Sequence, residues 1–469
     1  MSLPALTLES AYEHLKKVNF TMCNLDVAGA KKKHGDALLW CNLGNPQGVG
    51  QKPITYNREV MAAVTLPSLI ESEAISKTAR ARAAEINDCL PGHSSGAYPP
   101  TAGASVIREQ IAEFITARDG FKAESGDVFM ANGATEAVQN LMRLLVKQDG
   151  DSIMVPCPHF PLYTGYLQYI GATYASYQLD ETKAWDVQEA ELHRVYNEAI
   201  EQGHPPRGIV VINPNNPTGS VLSKESLTVL CRFAHAHGLP LVADEVYQRN
   251  IFEPEQRPFI AVLKIAQELA AQGECEGLQV ISLHSASKGL SAECGRRGGY
   301  MHFHNIDKKL VSAFDDILSM GCPNIEGMVA MSAIVNPPRE GDDAYDKYQE
   351  ECGSLLSALV RKAKMVAEAF NSWEGMSCVQ PAGAMYAYPK IEVPPKAVAA
   401  AAAEGIEGDA LYVNELLDTV GVVVLPGSVF GQMPNTHHLR MTILPDEKEL
   451  AVVLEKWAVF HKEFMAKYQ

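Results

Sequence analysis

Apolar residues fall along this chain in two rhythms. Short runs rich in branched side chains stand at Asp127–Ala131, Ser152–Pro156, Gly208–Asn213, Leu239–Ala243 and Leu278–Leu283. Each has the length and composition of a buried strand. Between them, apolar positions recur every three or four residues. Glu136–Lys147 sets Val138, Leu141, Met142 and Leu145 on one helical face. Strands alternating with helices predict a mostly parallel central sheet covered on both faces, an α/β fold.

The texture changes after Pro338. Asp343 to Trp373 reads as one long, charged helix connecting two domains. Pro394 to Glu404 carries an alanine run, Ala399 to Ala403, and reads as surface helix or insertion. Two short strands, Gly421–Leu425 and Leu439–Ile443, precede an amphipathic C-terminal helix over Glu447–Lys467. The expected division is a large domain over residues 65–338, with 1–64 and 339–469 joining in a smaller α+β domain. A length of 469 residues agrees with two domains.

Charge and cysteines narrow the function classes. The formal net charge is −16, which repels nucleic acid and anionic membranes. No apolar run approaches the roughly 20 residues that span a bilayer. The ten cysteines, from Cys23 to Cys378, include no C-x-x-C pair, so they read as reduced thiols. The H-x-H pairs His235/His237 and His302/His304 lack a third ligand at a recognisable spacing, and no metal is expected. The start, MSLPALTLESAYEHL, has neither the basic region of a secretory signal nor the arginines of a transit peptide. A cytoplasmic setting is the expectation, although a chain trimmed of an organellar leader reads the same way.

Ligands of an open α/β sheet gather at the carboxyl ends of its strands. Three expected strands end in polar, turn-rich segments there: Asn213-Pro214-Asn215-Asn216-Pro217-Thr218-Gly219, Asp244-Glu245-Val246-Tyr247 and His284-Ser285-Ala286-Ser287-Lys288. Asn132-Gly133-Ala134-Thr135 opens a helix, and Arg297 stands in Gly295-Arg296-Arg297-Gly298-Gly299-Tyr300. Alone, each is an ordinary feature: a proline-stiffened loop, a strand end, a surface turn, an N-cap.

In this order and combination the segments resemble the fold-type I aminotransferases that use pyridoxal phosphate (PLP), over about residues 42–443. Each polar group of that cofactor needs a partner. The resemblance implies that Gly133, Ala134, Thr135, Ser285 and Arg297 hold the phosphate, at a helix start that favours anions. It implies that Asp244 keeps the pyridine nitrogen protonated, because an opposite charge favours the charged form. Tyr247 and Asn216 match the residues on the phenolic oxygen, and Phe160 the aromatic against the ring. Lys288 matches the Schiff-base lysine and proton carrier. Arg440 matches the arginine that grips the substrate α-carboxylate, with Asn45 beside it. Tyr98 matches a tyrosine that reaches the neighbouring subunit's phosphate, which implies a homodimer.

Within that family the chain looks most like the alanine aminotransferase branch. Gly92-His93-Ser94-Ser95-Gly96-Ala97-Tyr98, Glu293-Cys294-Gly295 and Arg440-Met441-Thr442-Ile443-Leu444-Pro445 carry this likeness. The implied reaction is ping-pong transfer from L-alanine to 2-oxoglutarate, with amino acids and 2-oxo acids as partners. Phe160 stands where that branch commonly has tyrosine, and Arg296 where an aromatic is common. A glutamate–glyoxylate aminotransferase of the same branch, or a lyase or synthase of this fold, are the alternatives. A dehydrogenase is disfavoured, because no G-x-G-x-x-G follows a strand.

Overall fold

The structure, a computed structural model, describes residues 25–318 and 321–469. Cys23 and the start of the chain read above for a leader lie outside the described residues. Strand β1 (Leu39–Trp40) is separate from the main sheet. That sheet comprises β2 (Val128–Ala131), β3 (Ser152–Cys157), β4 (Thr173–Asp180), β5 (Asp186–Val187), β6 (Pro206–Ile212), β7 (Leu241–Asp244), β8 (Val280–Ser285) and β9 (Gly299–His304). Its order is β2-β9-β8-β7-β6-β3-β4-β5.

The central run β8-β7-β6-β3-β4 is parallel. Antiparallel pairing appears only towards the two edges, at β8-β9, β2-β9 and β4-β5. All five expected strands are present within a few residues of their expected bounds. Residues of β2, β3 and β8 are buried throughout, as strands covered on both faces must be. The expected set lacked β4, β5 and β9. β4 mixes tyrosine, serine and glutamine and is mostly half-buried, and β9 interrupts its apolar positions with His302 and His304. Neither offers the unbroken branched run that marks the others. Helix Ala134–Leu145 buries Val138, Leu141 and Met142, the face read from its period.

Beyond residue 338 the long helix is Tyr345–Asn371 and the C-terminal helix Glu447–Tyr468. Trp457 joins them, with its ring 5.2 Å from Phe370 and its Nε1 donating to the Tyr412 hydroxyl at 2.9 Å. The alanine run is helical over Pro395–Ala403, and it is not wholly a surface feature, because Ala397 and Ala401 are buried. The short strands here are β10 (Met376–Ser377), β11 (Tyr386–Ala387), β12 (Lys390–Ile391), β13 (Val422–Val423), β14 (Leu425–Pro426) and β15 (Leu439–Thr442). The single strand expected over Gly421–Leu425 is therefore two. β13 pairs with β1, while β14 turns to pair with β15. β15 lies between β11 and β14, and that places Arg440 at the centre of a small sheet. Among the described residues no helix is long and apolar enough to cross a membrane.

Candidate active site

Parallel strands carry their carboxyl ends to one edge of the sheet, and the largest chemistry of this chain collects there. Asp244 ends β7, Ser285 ends β8, and Asn216 follows β6 by four residues. They open on a cavity of about 330 Å³. Asn45, Ala134, Thr135, Phe160, Asn216 and Asp244 line it, and so do Tyr247, Ser285, Lys288, Arg297 and Arg440. Gly133 stands directly behind Arg297: a Cβ there would lie 2.5 Å from the guanidinium, at a φ of +85° that favours glycine. Tyr98 is not among the lining residues and is 89% exposed.

One end of the cavity is built for an anion. The helix Ala134–Leu145 starts after Gly133 with no side-chain cap, so its first N–H groups are free. Arg297 reaches this start and donates to Ser287 Oγ at 3.2 Å and the Cys294 carbonyl at 2.9 Å. The neighbouring Arg296 is instead paired with Glu326 at 2.6 Å. A Cβ at Gly298 would sit 2.2 Å from the Gly327 carbonyl, so the glycine after Arg297 is what lets these two backbones meet. Ser285 Oγ donates to the Gly298 carbonyl at 3.3 Å and accepts from the Ser287 amide at 2.9 Å.

The floor holds a buried carboxylate. Asp244 Oδ2 accepts from the Tyr163 hydroxyl at 2.8 Å. Its Oδ1 is buried without a hydrogen-bond partner among the described residues. Burial raises the Asp244 carboxyl above its usual value, and the Tyr163 bond and the Lys288 cation counter this. Such an oxygen calls for a cationic donor.

The opposite wall holds two cations. Lys288, three residues beyond β8, donates to the Gly44 carbonyl at 2.7 Å. Arg440 is 2% exposed, and none of the described ion pairs includes it. Its Nη1 donates to Asn216 Oδ1 at 3.1 Å, its Nη2 to the Asn42 carbonyl, and its Nε is buried without a partner. The guanidinium lies over the rings of Tyr386 at 4.5 Å and Phe430 at 4.6 Å. Burial lowers its affinity for the proton. A buried guanidinium with donors to spare is a receptor for a carboxylate.

Five participants were absent from the expected set: Gly44, Tyr163, Ser287, Cys294 and Tyr386. Gly44 and Ser287 each neighbour an expected residue, and Tyr163 lies three residues after the expected Phe160. Tyr386 carries no local signal, since its strand is two residues long. Among the described residues no three His, Cys, Asp or Glu side chains gather to hold a metal.

Residues 71–456 match the profile of aminotransferase class I and II. Alanine aminotransferase 2 of Panicum miliaceum is 41% identical over 92% of this chain and 90% of its own length. Glutamate–glyoxylate aminotransferase 1 of Arabidopsis thaliana is 35% identical over 100% of this chain and 98% of its own. Among solved structures, an alanine aminotransferase from Pyrococcus furiosus superposes with a TM-score of 0.77 at 24% identity, over 96% of this chain and 99% of that one, a likeness of fold.

Proposed function

Because the chain belongs to the class I and II aminotransferases, we propose that it carries the amino group of L-alanine to 2-oxoglutarate, giving pyruvate and L-glutamate. Enzymes of this family depend on PLP, and this one does too. The cavity fits the cofactor. The uncapped helix start with Ser285 and Arg297 suits its phosphate, and Asp244 Oδ1 lacks the donor that a protonated pyridine nitrogen would be. When bound, PLP supplies an electron sink and a carbonyl carbon that stores the amino group between two half-reactions.

The residues of the chain do the rest. Gly133, Ala134 and Thr135 offer backbone N–H groups, and Ser285 and Arg297 close the cup. Asp244 would pair with the pyridine nitrogen, Phe160 would pack against the ring, and Tyr247 and Asn216 would hold the phenolic oxygen. Lys288 would anchor the cofactor, and its Nζ, when free, would take the proton from the substrate Cα. Arg440 and Asn216 orient the α-carboxylate, with Asn45 at the rim. The large body is taken as residues 65–338, onto which a carboxylate on Arg440 draws the remainder and excludes water. Tyr98, exposed in one copy of the chain, would reach the phosphate site of a second copy in a homodimer. All nine described cysteines are free, which fits a reducing compartment; we place the enzyme in the cytoplasm.

The observation that carries this reading is the convergence of an amine, Lys288, and a buried guanidinium without a counter-charge, Arg440, on one cavity. Alanine as donor is supported by the 41% identical relative. The test is spectral. L-alanine alone should bleach the visible band of the PLP-loaded protein, and 2-oxoglutarate should restore it. Recovery with glyoxylate only would favour the second reading, glutamate–glyoxylate transfer, which the full-length Arabidopsis relative supports. A protein that shows no band after reconstitution with PLP sinks both readings.

Asp244→Asn is expected to slow the first half-reaction by about 10–10³-fold, since a lost carboxylate lowers a partner's pKa by about 1–3 units. Single-turnover rates check this. An unchanged rate would remove Asp244 from the proposed role.

A further inference from the structure

Tyr386 stands in β11, opposite Thr442 of β15, and is 2% exposed. Three neighbours fix its ring. The Arg440 guanidinium lies 4.5 Å over one face. The Tyr247 ring meets it edge-on, with centroids 5.9 Å apart. The backbone of Gly44 closes the third side, so near that a Cβ there would lie 2.1 Å from the Tyr386 hydroxyl. The hydroxyl comes within 3.1 Å of the Tyr247 hydroxyl, its hydrogen-bond partner among the described residues.

The direction of that bond follows from proton counting: Tyr247 has one hydroxyl proton, and where that proton goes to the phenolic oxygen of the cofactor only Tyr386 can donate between the two. Burial raises both phenols. Lys288 and Arg440 overcome it at Tyr386 and bring that phenol below its usual value, whereas burial, the Tyr386 phenol and Asp244 together hold Tyr247 well above. Tyr386 is therefore the donor across the 3.1 Å contact. Tyr247 keeps its own proton for a third group.

We propose that Tyr386 is a positioning residue: its hydroxyl donates to Tyr247 and aims the Tyr247 proton at the phenolic oxygen of the cofactor. This rests on the PLP reading above. A donor that itself accepts a hydrogen bond donates more strongly. Without Tyr386 the phenolic oxygen is less well stabilised, and the proton shared between it and the lysine–cofactor link is held to higher pH. The other charged and titratable groups facing the pair are Asp244 on β7, Lys288, Cys294 and Arg297 after β8, and Arg440 on β15. All of them remain in Tyr386→Phe.

The experiment is a pH titration of the visible band of the PLP-loaded protein. In Tyr386→Phe its midpoint should rise by about half a unit. Tyr247→Phe should raise it further, and the double variant should move no further than Tyr247→Phe alone. A midpoint that Tyr247→Phe moves and Tyr386→Phe does not would overturn the proposal and leave the cofactor reading intact. A double variant that moves beyond Tyr247→Phe shows Tyr386 acting independently, which also overturns it. Loss of the band in Tyr386→Phe alone would make the tyrosine a part of the fold, with the same consequence. A wild-type chain with no band overturns both readings.

Discussion

Lys288→Ala is expected to lower kcat by at least about 10⁴-fold and to abolish the visible band of the PLP-loaded protein. Two functions would be lost together, the anchor and the proton carrier, and a positioned acid–base group alone contributes about 10²–10⁴-fold. The fold should survive. Lys288 makes one hydrogen bond, to the Gly44 carbonyl, and that carbonyl can turn to water in the open cavity. An unchanged melting temperature of the cofactor-free protein checks this. A small primary amine added in solution should restore only a trace of the rate, because a held group acts at an effective concentration of about 10⁵–10⁸ M. Activity of Lys288→Ala within tenfold of wild type would refute the assignment.

The second large effect is expected at Arg440. Lysine there keeps the charge and loses the fork, so Arg440→Lys should lower kcat/KM by about 10²–10³-fold. Its cause lies in the surroundings. Asn216 Oδ1 and the Asn42 carbonyl each take one arm of the guanidinium, and the rings of Tyr386 and Phe430 hold it flat. An ammonium has no plane to stack, and it cannot span both oxygens while meeting a carboxylate with two parallel bonds. The loss should appear for both half-reactions, since both substrates carry the α-carboxylate. Separate single-turnover measurements with each substrate check this, and a defect confined to one of them would place the contact on the side chain instead.

The legibility of this fold divides along its burial. β2, β3, β6, β7 and β8 could be read because strands buried on both faces tolerate little besides branched apolar residues. β4 lies next to the last strand of the sheet, and its mixed surroundings permit a mixed sequence. The site was legible in the same physical sense. Asp244, Ser285 and Lys288 stand where polar residues abruptly follow a buried run. Arg440 has no such local mark, and only the likeness to a family placed it. Tyr386 escaped both routes: its strand has no period, and its partner Tyr247 is 139 residues away in sequence. Contacts of that span are properties of the folded chain.

The span of the site also has a consequence in time. Arg440 is bonded to Asn42, 398 residues before it, and to Asn216, 224 residues before it. A ribosome has therefore made the helix start, Asp244 and Lys288 long before it makes the arginine. A chain halted anywhere short of that point would carry the residues proposed for the phosphate cup and lack the guanidinium proposed to grip the amino acid. Products stopped before Arg440 should therefore be catalytically silent.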